Sequence, residues 1–177
     1  SETKPTWSPD KKTIAYLSDI NGTSTLWIMD SNGKSKKEIL DSDIKVNNFL
    51  WSPDSKKIAA EINRNQKINI IIINLEKNSK EILNLPYSKA FIGDWSPDGK
   101  WLLYTLEDTN NKGLRRKSIN GVDEFTITEK DDYSPKWSPN GKWIAFMRKN
   151  TLGSFDLVYT NIHGEKEVIL LKENMNK

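Results

Sequence analysis

The sequence Trp-Ser-Pro, followed by Asp or Asn, occurs four times, at Trp7, Trp51, Trp95 and Trp137, in steps of 44, 44 and 42 residues. A fixed period of this length is the mark of stacked supersecondary units, each unable to bury its apolar face alone. Almost nothing of the 177 residues lies outside the repeated region. The motif is itself a turn. Ser accepts hydrogen bonds at the first position, Pro presets φ at the second, and Asp10, Asp54, Asp98 or Asn140 suits the third. Gly is favoured at the fourth position, and Lys11 and Ser55 stand there in the first two copies.

Behind each turn comes a short β-prone run, at Thr13 to Leu17, Lys57 to Ile62, Trp101 to Leu106 and Trp143 to Met147. A second run follows at Thr25 to Met29, Ile68 to Ile73, Gly113 to Ser118 and Asp156 to Thr160. A third covers Glu38 to Leu40, Glu81 to Leu85, Glu124 to Thr128 and Glu167 to Leu171. Asn32-Gly33, Asn120-Gly121 and His163-Gly164 supply turn chemistry between the second and third runs. With the Trp-bearing segment, each unit has four strands, and no window carries a helical apolar stripe. The predicted fold is all-β: a β-propeller of four tandem four-stranded antiparallel blades in one domain, at approximately 3–41, 46–86, 90–129 and 133–172.

Trp-Ser-Pro-Asp-Gly-Lys, followed by a strand such as Ile144-Ala145-Phe146 and then by one ending near Asp30 and Gly33, resembles the TolB-type propeller repeat. Similar repeats occur in propeller domains of prolyl-oligopeptidase-class serine peptidases and of the tricorn protease. The resemblance implies that the Trp strand is innermost. It also implies a non-enzymatic scaffold for a protein or peptide partner, in an extracytoplasmic setting. The alternative it carries is the propeller segment of a larger serine peptidase, gating or positioning peptide substrate.

A blade is apolar on both faces, so the outer faces of the first and last blades need covering. The chain is expected to be part of a longer propeller, a pair of copies completing one ring, or a small ring closed on itself. It opens on Ser1 rather than Met, so upstream sequence is expected: a signal peptide, a tag or earlier repeats.

Composition excludes more than it selects. The 27 basic and 24 acidic residues are interspersed and leave a net charge of +3, without the concentrated basic face of a nucleic-acid binder. The longest apolar run, Ile70 to Ile73 with Leu75 nearby, is far short of the roughly 20 residues a membrane helix needs. Cysteine is absent, so thiolate metal sites and disulfides are impossible.

His163, the lone histidine, sits where the other units carry turn residues, and no G-x-S-x-G nucleophile elbow is present, so no catalytic residues are assigned. Asp41 with Asp43, and Asp131 with Asp132, fall short of a calcium loop's ligand count and are read as loop charge. No cofactor or metal is expected.

Departures from the repeat are more informative. Thr6, Leu50, Asp94 and Lys136 precede the motif tryptophans, and Asp94 and Lys136 are expected either to pair across neighbouring blades or to meet a ligand. Arg64, Tyr87, Tyr133 and Arg148 lie in or beside the loops (Asn63 to Lys67, Tyr87 to Lys89, Glu107 to Lys112, Asp131 to Ser134, Arg148 to Gly153) that a propeller turns toward a partner. Arg115-Arg116-Lys117 replaces the apolar Trp27-Ile28-Met29 and Ile71-Ile72-Ile73 of earlier units. Three adjacent cations predict an exposed or irregular strand, and a patch for an acidic partner is the sharper alternative. Trp101 and Trp143 begin second strands and are expected to pack between blades rather than to serve as sugar-stacking platforms.

Overall fold

A computed structural model describes residues 1–20, 22–64 and 67–172. The described residues form sixteen strands in four antiparallel sheets, each a consecutive meander. Sheet one comprises β1 (Glu2–Trp7), β2 (Thr13–Ile20), β3 (Thr23–Asp30) and β4 (Lys37–Glu38), and sheet two β5 (Val46–Trp51), β6 (Lys57–Arg64), β7 (Lys67–Asn74) and β8 (Ser79–Ile82). Sheet three holds β9 (Ala90–Trp95), β10 (Trp101–Glu107), β11 (Lys112–Ser118) and β12 (Glu124–Thr126). Sheet four holds β13 (Asp132–Trp137), β14 (Trp143–Lys149), β15 (Phe155–Asn161) and β16 (Val168–Leu171). Among the described residues no strand pairs outside its own repeat.

The repeated turn explains the hairpin at the start of every sheet. In the first copy the Ser8 hydroxyl donates to Asp10 Oδ1 at 2.6 Å and accepts from the Thr13 amide at 3.0 Å, while Asp10 Oδ1 also accepts from the Lys12 amide at 3.1 Å. The Ser8 hydroxyl and the Lys12 amide hold the Asp10 carboxyl below its ordinary range. The other copies repeat the pattern, with Asn140 Oδ1 accepting from Ser138 at 2.8 Å in the fourth. The fourth turn position lies in the left-handed region in every copy, with φ of 63° at Lys11, 62° at Ser55, 68° at Gly99 and 70° at Gly141. That is why glycine is favoured there.

Two compact units each contain two sheets, 1–88 and 89–177. In the first, Leu17 and Leu26 of sheet one, with Leu40 just past β4, interlock with Phe49, Trp51, Ile58, Ile62 and Ile71 of sheet two. Trp51 turns its ring toward the preceding sheet and donates from Nε1 to the Thr6 carbonyl at 3.2 Å. Trp7, on the corresponding face of sheet one, is 52% exposed, so the motif tryptophan is not uniformly a core residue. In the second unit, Leu103 and Leu114 of sheet three, with Ile127 just past β12, meet Ile144, Phe146 and Val158 of sheet four, with Trp137 packed against them.

The basic strand departs from expectation. β11 is a regular seven-residue strand, and Arg115 and Arg116 are each only 6% exposed. Arg115 is solvated by backbone: Nη1 donates to the carbonyls of Thr128 at 2.6 Å, Leu114 at 3.1 Å and Lys112 at 3.3 Å. Lys117 lies 3.9 Å from Glu124 Oε2, and Arg116 lies against two aromatic rings. Hydropathy reads a cation as exposed. Here carbonyls, a carboxylate and π-faces substitute for water.

Candidate functional site

The candidate site residues of the second unit fall into two groups. On the inner strands, Lys136 Nζ donates to the Gly93 carbonyl at 2.9 Å and lies 3.7 Å from Asp94 Oδ1, while Asp94 Oδ2 accepts from the Trp137 amide at 2.9 Å. The pairing across neighbouring sheets is therefore present, with the Lys136 side chain 59% exposed. Gly93 is needed for this approach, because a Cβ there would lie 2.4 Å from Pro135 Cγ.

The second group lies at one end of sheet four. Arg148 donates from Nε to Asp132 Oδ1 at 2.7 Å and from Nη2 to Oδ2 at 2.8 Å, a bidentate pair. Its Nη1 and Nη2 also donate to Glu167 Oε2 and Oε1 at 2.7 and 2.8 Å. Lys130 Nζ donates to Glu167 at 3.0 Å, and Lys112 pairs with Asp131 at 2.8 Å. Hydrogen bonds from Arg148, then those from Lys130, hold the Glu167 carboxyl down at about 2 against the opposing effect of its partial burial. Burial works against the charge of Arg148, but its bonds to Glu167 and Asp132 raise its pKa on balance. Tyr133, beside this group, meets Phe155 edge-on with centroids 5.7 Å apart, and burial raises its hydroxyl pKa.

A bulge sets this geometry. The β13–β14 register shifts between Tyr133 and Lys136, where Ser134 takes φ 51°, and that shift places Asp132 opposite Arg148. β1 carries the same irregularity between Thr3 and Thr6, with Lys4 at φ 52°.

In the first unit, Arg64 lines a cavity of about 420 Å³ with Asp41, Asp43, Asn63, Lys80 and the apolar Ile62 and Ile71. Residues 65 and 66 of its loop lie outside the described residues. Tyr87 is half-buried in the connection from β8 to β9. Asp41 pairs with Lys80 at 2.8 Å, so both acidic doublets, 41/43 and 131/132, have members engaged by cations, and no cluster of three or more metal-ligating side chains occurs among the described residues. His163 is exposed in the β15–β16 turn, its amide bonded to Asn161 Oδ1 at 3.2 Å. Sequence reasoning missed Glu167 as a partner of Arg148 and Lys130 as a second partner of Glu167. Both are long charged residues outside the repeat motif, and nothing local marks them.

Four-stranded antiparallel meanders, repeated with a Trp-led inner strand and polar departures at strand ends, define a β-propeller-type repeat protein. The chain belongs to the TolB beta propeller domain family, whose model matches residues 2–177. A curated relative, an uncharacterized peptidase YuxL of Bacillus subtilis strain 168, is 30% identical, over 60% of this chain and 22% of its own length. The chain thus spans about a fifth of that relative. A putative TolB from Agrobacterium tumefaciens has the same fold, with a TM-score of 0.75, 17% identity, and 97% of this chain and 80% of that one covered. A prolyl endopeptidase structure aligns with a TM-score of 0.76 and 14% identity over 98% of this chain and 30% of its own.

Proposed function

We propose that the chain is a non-enzymatic propeller scaffold that binds a protein or peptide partner through the polar ends of its sheets. The observation that carries this reading is the inner-strand pair Asp94–Lys136 with the flanking Lys112, Lys130 and Arg148 network. These side chains are held by ion pairs, all but Lys130 from strand positions, and break the repeat's symmetry, yet none is arranged as a nucleophile with its base. Lys112, Lys130 and Lys136 stay about half exposed while held in place, which suits them to recognise an acidic surface at low entropic cost. Family analogy favours an extracytoplasmic setting for such a scaffold. The test is retention of envelope proteins on the immobilised chain and on a Lys112→Glu/Lys130→Glu/Lys136→Glu variant of unchanged melting temperature. A partner kept by the former and lost by the latter supports the reading. Equal retention by both sinks it.

The second reading is the propeller portion of a larger serine peptidase, favoured by the relative whose printed name is a peptidase. Coding sequence for a G-x-S-x-G domain contiguous with this chain would decide for it. Under either reading the outer face of sheet one, with Trp7 half exposed and Pro5, Tyr16 and Met29 lining a cavity of about 170 Å³, suits a further blade or a second copy. Sedimentation of the chain across micromolar concentrations tests the second copy. A monomer throughout argues against it.

A further inference from the structure

At one position of the third strand the four sheets carry Ile28, Ile72, Arg116 and Tyr159, opposite Ala15, Ala59, Leu103 and Ala145 in register. Only sheet three places a cation there, on the face that packs against sheet four. The Arg116 guanidinium carbon lies 4.7 Å from the Trp101 ring centre and 4.7 Å from that of Phe125. The two rings are themselves only 5.6 Å apart, so both lie to one side of the cation and leave its other side uncovered by them. Arg116 is more than nine-tenths buried, its Nε has no hydrogen-bond acceptor, and no carboxylate pairs with it among the described residues. Buried cations are ordinarily paired.

Arg116 lines a cavity of about 270 Å³ between the third and fourth sheets, with Trp101, Trp137, Pro97, Asp98 and Gly141. Trp137 Nε1 is a second buried donor without an acceptor. In the first unit the corresponding Trp51 Nε1 donates to the Thr6 carbonyl, and Ser55 Oγ of sheet two accepts from the Asp10 amide of sheet one at 3.0 Å. The second unit has Gly141 where Ser55 stands, so that hydroxyl is missing and space replaces it. Arg116 and Trp137, each with an unused N–H donor, therefore line one small cavity, which the repeat's favoured glycine at 141 leaves open and the departure at 116 makes cationic.

We propose that this cavity binds a carboxylate, with the Arg116 fork as its anchor and the Trp137 indole N–H as a second donor. A guanidinium edge matches a planar carboxylate in a bidentate fit. The site holds one uncommitted cation, and the Asp98 carboxylate, occupied by the Ser96 hydroxyl and the Lys100 amide, also borders it. That balance suits a monoanion and opposes a phosphate dianion. The volume suits a small acid or a single acidic side chain rather than a drug-sized ligand, for which pockets of roughly 300–1,000 Å³ are usual. The inference stands whether the chain is a scaffold or a peptidase propeller.

The test is NMR titration of the ¹⁵N-labelled chain, following indole and arginine Nε–H signals with acetate, N-acetyl-aspartate methylamide, inorganic phosphate and neutral acetamide. Acetate and the aspartate derivative should move one indole signal and one arginine Nε–H signal saturably, and acetamide should move neither. The tighter of the two carboxylates tells a free acid from a protein side chain. Arg116→Ile, which restores the sheet-two residue, should keep the fold and lose the response. Trp137→Phe should remove the shifting indole signal and weaken binding several-fold, and it serves if Arg116→Ile does not fold. Arg116→Lys should weaken binding about tenfold by losing the fork. No saturable shift with either carboxylate, a tighter response to phosphate, or a folded Arg116→Ile variant that binds as before would overturn the proposal.

Discussion

Replacing Arg148 by Met isolates the electrostatic heart of sheet four. The methionine keeps the aliphatic stem and some cover over Phe146, whose ring centre lies 5.2 Å from the guanidinium carbon. What it removes is the bidentate partner of Asp132, a residue only 1% exposed whose two oxygens are held at 2.7 and 2.8 Å. Leaving one charge of a buried pair unmatched costs about 3–5 kcal/mol. The lost bonds to Glu167 add little, because Glu167 is partly exposed and keeps Lys130. For a chain of this size the cost is a fall in melting temperature of about 10 °C. A double-mutant cycle separates this from lost packing. In Asp132→Asn/Arg148→Met no buried charge remains, so the double variant should lie within about 1–2 kcal/mol of Asp132→Asn alone. Urea unfolding followed by tryptophan fluorescence measures all four corners. If Arg148→Met melts with the parent, or the two substitutions add without coupling, the buried pair does not carry the stability assigned to it.

Other expectations follow from the same geometry. Trp95→Ala should cost about 3–5 kcal/mol, since Trp95 is only 4% exposed, whereas Trp7→Ala should stay within about 0.5 kcal/mol; thermal melts of the two variants check the contrast. Gly164→Ala, at φ 77°, would put a Cβ 2.0 Å from the Ile127 carbonyl oxygen and should destabilise by about 2 kcal/mol or more in urea titrations. Glu167 is held at about 2 against an ordinary 4.5, so its folded-state pKa is depressed and its contribution is full above the ordinary value. That contribution should fade as pH falls from 4.5 toward 2. Screening of this partly exposed group reduces it to about 1 kcal/mol, and Glu167→Gln should flatten that limb of the stability–pH curve.

The sequence revealed the sheets more fully than the chemistry between them. Trp-Ser-Pro-Asp marks every inner hairpin because its Ser and Asp make bonds only two to five positions away, and such information is local. The Asp132–Arg148 pair was hidden for the opposite reason. A hairpin continued without a bulge from Trp137↔Ile144 would set Asp132 opposite Lys149, with Arg148 on the other face, and it is Ser134 at φ 51° that corrects the register. The Asp94–Lys136 pair was legible because both residues hold the same place relative to their tryptophans. Arg115 and Arg116 misled because composition cannot see carbonyl and aromatic partners from β10, β12 and the following loop. Trp7, 52% exposed, shows that a repeat tells which face a ring occupies but not whether that face has a neighbour.

The short reach of the turn bonds has a kinetic consequence. A hairpin whose fastening groups are at most five residues apart closes with little loss of chain entropy, before any sheet has met another. Four such hairpins lie along the polypeptide, so structure can start at any of them and spread outward. During synthesis each Trp-Ser-Pro turn can form as soon as it leaves the ribosome, which shortens the time that the isoleucine-rich β7 spends as an unpaired, aggregation-prone segment.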